Sequence, residues 1–202
     1  MDTIKPDQLI RRIRGILFHT EMKALRFGHG IGLKCPPGCG DCCRDDHPED
    51  SVLAALPSAQ WAIDNDKIDL LAKAALEDPE GQCVFYDHTL EKCCTIYPVR
   101  PLICRLFGFA GVRDKYGAVQ FRPCRRMSPP KRNINLIPPV YSDCARRLEY
   151  IFPQLGSIRL PLNAAFYQAA QWLLLYRQFD PENPQPNEPS RRYLQNRFRK
   201  AA

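Results

Sequence analysis

A small, mainly helical α+β fold of irregular outline is predicted by three features of the sequence. These are amphipathic helical runs towards both ends, a middle region of short apolar segments broken by turns, and cysteine clusters within that region. At 202 residues the chain has the length of one ordinary domain with a small appended element.

From residue 7 to about 26, Leu9, Ile10, Ile13, Ile16, Leu17 and Thr20 recur at three- and four-residue steps. This predicts an amphipathic helix with Asp7 as its cap and its end at "GHGIG". The cysteine-rich "KCPPGCGDCCR" follows. Beyond "RDDHPED" a short helical stretch is expected near Ser51 to Leu56, then a second helix from about Ser58 to Leu76, with Ser58 as N-cap after Pro57. "CVFYD" reads as a short apolar strand entering a polar turn, and "RPLICRLFGF" as a short helix opened by Pro101. In "VRDKYGAVQFRPC" apolar residues flank a turn at Gly117, which predicts a hairpin whose return strand delivers Cys124. "MSPPKRNINLIPP" reads as an irregular linker before two helices, Ser142 to Tyr150 and about Asn163 to Phe179. The Pro-rich "DPENPQPNEPS" predicts an extended tail leading to a terminal helix, "SRRYLQNRFRK", capped by Ser190. Its basic residues are mixed with Tyr193, Leu194 and Phe198, which suits a docked, solvated helix or a contact with nucleic acid or anionic lipid. The expected organisation is an amino-terminal helix (1–33), a cysteine-cluster domain (34–127), carboxy-terminal helices packed on it (128–180), and a linker with a basic helix (181–202).

The 29 Lys and Arg against 22 Asp and Glu give a net charge of +7. The surplus is spread along the chain rather than gathered in a polybasic block, a modest pointer to an acidic partner. "MDTIKPDQLIRRIRGILFHT" lacks the features of a secretory signal, and no later run approaches the length of a membrane span. A soluble, cytoplasmic chain is therefore expected. In a reducing compartment ten cysteines need an occupation other than a disulfide framework, and a chain of this length needs no such staples. Metal binding is the expected occupation.

Thiolate sulfur is a soft ligand that favours zinc, iron–sulfur clusters or copper(I) over magnesium and calcium. The first group, Cys35-x3-Cys39-x2-Cys42-Cys43, has internal gaps suited to folding two ligands onto one ion, and Gly38 and Gly40 allow the turns this needs. The second, Cys83, Cys93-Cys94 and Cys104, with Cys124 and Cys144 beyond, is too dispersed for a local knuckle and would have to converge in space. In extended backbone adjacent side chains point to opposite sides. Each doublet therefore serves two adjacent sites, or one member ligates while the other packs or stays a reactive thiol. A thiolate-bound centre is anionic, so cations should lie near it. Arg44, Arg100, Arg105, Arg122, Arg125 and Arg126 all fall within a few positions of a cysteine, with Arg100 and Arg105 the leading candidates for offsetting its charge. His47 and His88 lie in polar turns and read as solvated, while His19 and His29 belong to the first helix and its exit.

"CPPGCGDCCR", "CVFYD", "CTIYPVRPLICRLF" and "RPC" together resemble the YkgJ-type cysteine-cluster family of zinc- or iron-chelating domains, over roughly residues 35 to 125. The resemblance implies a ligand set of Cys35, Cys39, Cys42, Cys43, Cys83, Cys94, Cys104 and Cys124, with Arg100 and Pro101 matching the family's R-P and with Cys93 and Cys144 as extras. The first gap is one residue longer than the family's C-x2-C-x2-C-C. The cluster is also similar to that of flagellin lysine-N-methylases, which are linked to iron–sulfur-dependent methyl transfer, although this chain shows no glycine-rich cofactor fingerprint.

The cofactor is expected to be a 4Fe–4S cluster or Zn2+. Neither ferredoxin spacing, C-x2-C-x2-C-x3-C-P or C-x4-C-x2-C, is present, and eight thiolates would satisfy two four-cysteine zinc sites. The doublets and the methylase resemblance pull towards iron. Functionally, the expectation is a metal-binding structural or accessory module that presents its flanks to a protein partner. The alternatives are a cluster-dependent redox or methyl-transfer enzyme, and a nucleic-acid-associated factor.

Overall fold

Two three-residue strands set the frame of the molecule. The computed structural model describes residues 4–44, 46–127 and 136–179. The predicted extended tail and basic terminal helix lie outside the described residues, as does most of the expected linker. Strand β1 (Glu49–Ser51) pairs antiparallel with β4 (Arg159–Pro161), Asp50 standing opposite Leu160. β1 leads directly into helix α3 (Val52–Asp64) and β4 into α8 (Leu162–Phe179), so one ladder starts both helices side by side. Buried alanines on both, among them Ala55, Ala59, Ala165 and Ala169, let the two backbones approach closely.

Helix α3 is continuous where two helices are expected. Ser51, not Ser58, is its N-cap and accepts from the Ala54 amide at 3.1 Å. Pro57 removes one amide donor without ending the helix, because the residues on both sides of it are buried and their packing outweighs a cost of about 3 kcal/mol. Ser58 is fully buried and its hydroxyl donates to the Val99 carbonyl at 2.7 Å, tying α3 to the 3₁₀ turn at Tyr97–Val99. Helix α4 (Ile68–Glu77) follows as a separate element.

Helix α1 (Pro6–Ile31) carries the expected apolar stripe but differs at both ends. Lys5 is the N-cap, with Pro6 at the first helical position and Asp7 merely in the first turn. The helix also continues through "GHGIG" and stops at Gly32, which adopts φ +74°. Gly28 and Gly30 are close-approach residues rather than breakers. A Cβ on Gly28 would come within 2.5 Å of the Phe109 ring, and one on Gly30 would strike Leu136.

The hairpin is present as β2 (Gly111–Arg113) and β3 (Val119–Phe121), with Gly117 at φ +85° in its turn. A small second core of Phe27, Ile31, Leu33 and Met127 docks it on the end of α1, and the Phe27 and Phe121 rings meet edge to face at 4.9 Å. "CVFYD" makes a single bridge, Tyr86 with Cys94, rather than a strand. The remaining helices are α2 (Asp41–Arg44), α5 (Leu102–Leu106), α6 (Tyr141–Glu149) and α7 (Pro153–Gly156). The fold is thus the small, mainly helical α+β type expected. No helix among the described residues is long and apolar enough to cross a membrane.

Candidate metal centre

The first cysteine loop leaves α1 through Gly32 and is pinned at each turn. The Cys39 amide bonds the Pro36 carbonyl at 3.2 Å across Gly38, which adopts φ +66°, and the Gly38 amide reaches the Glu91 carbonyl at 3.1 Å. Cys42 and Cys43 lie not in extended chain but in α2, where successive side chains diverge by about 100°. Their sulfurs are 3.9 Å apart.

The second segment comes up against the first through backbone contacts. The Cys83 amide donates to the Cys43 carbonyl at 2.7 Å. Buried Asn163 on α8 holds the loop carrying Cys83, accepting from the Val84 amide and donating to the carbonyls of Asp78 and Gln82. Gly40 allows the closest approach, since a Cβ there would strike the Tyr86 ring and lie 3.1 Å from the Cys93 Cβ. Gly40→Ala is therefore expected to destabilise the protein by about 1–3 kcal/mol, as overpacking does. A midpoint of denaturation equal to that of the parent would show that the two segments are not in register as described.

The Cys93–Cys94 doublet is split by backbone conformation. Cys93 sits in the left-handed region at φ +50°, and its thiol donates to the Gly38 and Leu90 carbonyls at 3.3 and 3.5 Å. Cys94 is half-buried and lines the cavity described below. Cys104 comes from α5, and Cys124 follows β3 against Gly108, where a Cβ would sit 2.9 Å from that of Cys124.

These segments enclose a cavity of about 280 Å³ whose walls include Cys35, Cys39, Cys42, Cys43, Cys83, Cys94, Cys104 and Cys124. Cys93 and Cys144 do not line it. Cys93 is turned away as above, and Cys144 is buried on α6 with Thr20 beside it. His47 and His88 are exposed and contribute nothing to the walls.

Burial pushes the Cys35 thiol up to about 11, with Cys39, Cys42 and Cys124 around it adding to the effect. For Cys42 the contact with Cys43, then burial, raises it well beyond the usual range. Cys43 is eased down by that same contact, but Cys83 and burial outweigh it and leave it at about 12. Burial also raises Cys94, against the pull of the Ile96 amide and the Arg100 charge, and raises Cys104 strongly.

Arg100 and Arg105 stand on the cavity wall. Both pair with Glu21 of α1, Arg100 through Nη2 at 2.6 Å, and Arg105 also donates to the carbonyls of Arg100 and Pro98. The Arg100 guanidinium lies 3.7 Å above the Tyr97 ring, and its buried Nε has no hydrogen-bond partner among the described residues. The other arginines serve the loop framework. Arg44 and Arg126 pair with buried Asp41, and Arg125 lies 3.6 Å from Asp46, whereas Arg122 reaches Gln120. Glu21 and Asn163 have no signature in the local sequence, since their partners lie elsewhere in the chain, as does Arg126, the second partner of Asp41.

Among the described residues no set of three or more His, Cys, Asp or Glu side chains holds the spacing of a metal site as it stands. The thiols frame a space, and bonds of about 2.3 Å to zinc would require them to draw inward. In kind the donor set suits a soft metal: eight thiols, no histidine, and two arginines to offset thiolate charge.

Searches of curated proteins and of solved structures returned no match. The segment from 34 to 125, which contains all eight cysteines of the cavity, matches the model of the CxxCxxCC family, described as a "putative zinc- or iron-chelating domain".

Proposed function

We propose that this protein is a metal-binding module that holds zinc or iron through Cys35, Cys39, Cys42, Cys43, Cys83, Cys94, Cys104 and Cys124. In this reading the metal serves chiefly to organise the loops that a protein partner meets. The observation that carries it is selective convergence: eight thiols from five segments line one cavity, while the remaining two cysteines face elsewhere. The loops bearing them have little regular structure and are joined by short bridges and turns. A bound metal would supply the cross-links such loops lack, and its binding free energy would count towards folding. Arg100 and Arg105 would offset the charge of the thiolates.

Anaerobic purification followed by metal analysis and visible spectroscopy tests this directly. Stoichiometric zinc or iron is expected in the parent protein and in Cys144→Ser, with clear loss in Cys39→Ser and Cys94→Ser. Full metal content in both of the latter variants would refute the ligand assignment. Because burial and neighbouring thiols raise Cys35 to about 11 and Cys43 to about 12, metal uptake by them should release protons, and apparent affinity should rise with pH.

A further inference from the structure

A second cavity, of about 490 Å³, is walled by the end of α1, the hairpin and α6, and it shares no lining residue with the cysteine cavity. We propose that it is the docking site for an acidic segment of a partner protein, one in which a large aliphatic side chain is flanked by carboxylates.

The aliphatic wall of this cavity is the stretch 136–140, and it is fastened at both ends. The Gly111 amide of β2 donates to the Pro139 carbonyl at 2.9 Å, and Val140 forms a parallel bridge with Gly111. At the other end Leu136 packs over Gly30 of α1, so closely that a Cβ there would lie 2.4 Å from its side chain. Leu136 is nonetheless 43% exposed and Ile137 78%, so two large aliphatic side chains stand in water beside a preformed hollow.

The cations around that wall lack partners. Lys23 and Arg26 of α1, Arg113 of β2 and Arg147 of α6 line the cavity with one carboxylate, that of Asp143. Arg113 pairs with Asp143 at 2.6 Å, whereas Lys23, Arg26 and Arg147 have no ion pair among the described residues. Lys23 and Arg26 are three positions apart and so share a helix face, while Arg147 comes from a second helix. Positive charge therefore reaches the aliphatic wall from two elements, and a ligand that answers both carries negative charge on either side of an apolar group. Pro138 and Pro139 offer no amide hydrogen to the edge of a base, and a flat bilayer does not fill a concave site. An acidic peptide with an aliphatic anchor meets both the charge and the shape.

The full-length protein as purified is titrated into the fluorescein-labelled peptide Gly-Asp-Glu-Leu-Leu-Glu-Asp-Gly, and binding is read from fluorescence anisotropy. Saturable binding is expected, weakened at least about tenfold when the four carboxylates become amides, and likewise when both leucines become serine. Lys23→Glu and Arg147→Glu should each weaken it about tenfold, whereas Arg12→Glu, exposed on α1 but outside the cavity, should change it less than about twofold. Denaturation midpoints report whether these variants are folded, and Lys23→Gln and Arg147→Gln, expected to weaken binding about threefold, stand in for any reversal that is not. Equal losses in all three reversals would mean attraction to overall charge and would overturn the site. So would the absence of saturation at about 1 mM peptide. Tighter binding of oligothymidylate or of phosphatidylserine vesicles, weakened by the same Lys23 and Arg147 changes, would overturn the peptide assignment in favour of a phosphate-bearing ligand.

Discussion

Replacing Asp50 with alanine is expected to destabilise the protein by about 2–4 kcal/mol, because each buried donor left unpaired costs about 1–3 kcal/mol. Asp50 is fully buried in β1, and its carboxylate accepts from the Ser51 amide at 2.8 Å, the Ile103 amide at 2.7 Å and the Tyr141 hydroxyl at 2.8 Å. These donors belong to the start of α3, to α5 and to α6, so one side chain joins three helices. Burial raises its pKa, and the three hydrogen bonds pull it back down. Alanine relieves that burial penalty, which is why the expected loss is smaller than the sum of three orphaned donors. Asp50→Asn provides the comparison. One of its two terminal atoms must be a donor and faces another donor, so an intermediate loss is expected. Urea denaturation with an unchanged slope would measure both variants. Because Ile103 precedes Cys104, metal uptake should weaken in the alanine variant as well. A loss below about 0.5 kcal/mol, the range of an ordinary surface change, would show that Asp50 does not join these helices.

Periodicity made α1, α6 and α8 legible, and the turn at Gly117 made the hairpin legible, because these signals are local. Local signals mislead where tertiary packing decides. Pro57 reads as a boundary, yet the nearly all-round burial of α3 carries the helix through it. The glycines of "GHGIG" read as a stop, but Phe109 and Leu136 occupy the space a side chain would need, and the helix continues. The two doublets show the same limit at the site. Both read as extended chain in the sequence, whereas Cys42–Cys43 lies in a helical turn and Cys93 takes a left-handed conformation that turns its thiol away. Three-residue strands such as β1 and β4 have no periodicity to detect; apart from adjacent Ser51 the partners of Asp50 are 53 to 91 positions away, and those of Glu21 and Asn163 are 79 to 84 and 79 to 85 positions away.

Glu21→Ala is expected to cost the metal-free protein about 3 kcal/mol, since removing one partner of a buried ion pair strands the other charge at about 3–5 kcal/mol. Here two charges are stranded. The Arg105 side chain is 7% exposed and that of Arg100 11%, and Glu21 is the carboxylate that pairs with both. Burial already lowers the Arg105 pKa, against the support of Glu21. The neutral isostere in Glu21→Gln can keep a hydrogen bond but not the charge, so its loss should be nearly as large. The metal-loaded protein should respond differently. A thiolate-bound metal centre in the cavity would be anionic, and since Arg100 and Arg105 line that cavity it would partly compensate them when Glu21 is gone. The penalty of Glu21→Ala should then shrink by about 1 kcal/mol on loading, and by linkage the variant should bind metal about fivefold more tightly than the parent. Denaturation of parent and variant, each with and without metal, closes the cycle. An equal penalty in both states would mean that the arginines do not sense the centre. A larger one in the loaded state would mean that Glu21 supports the metal site through structure alone.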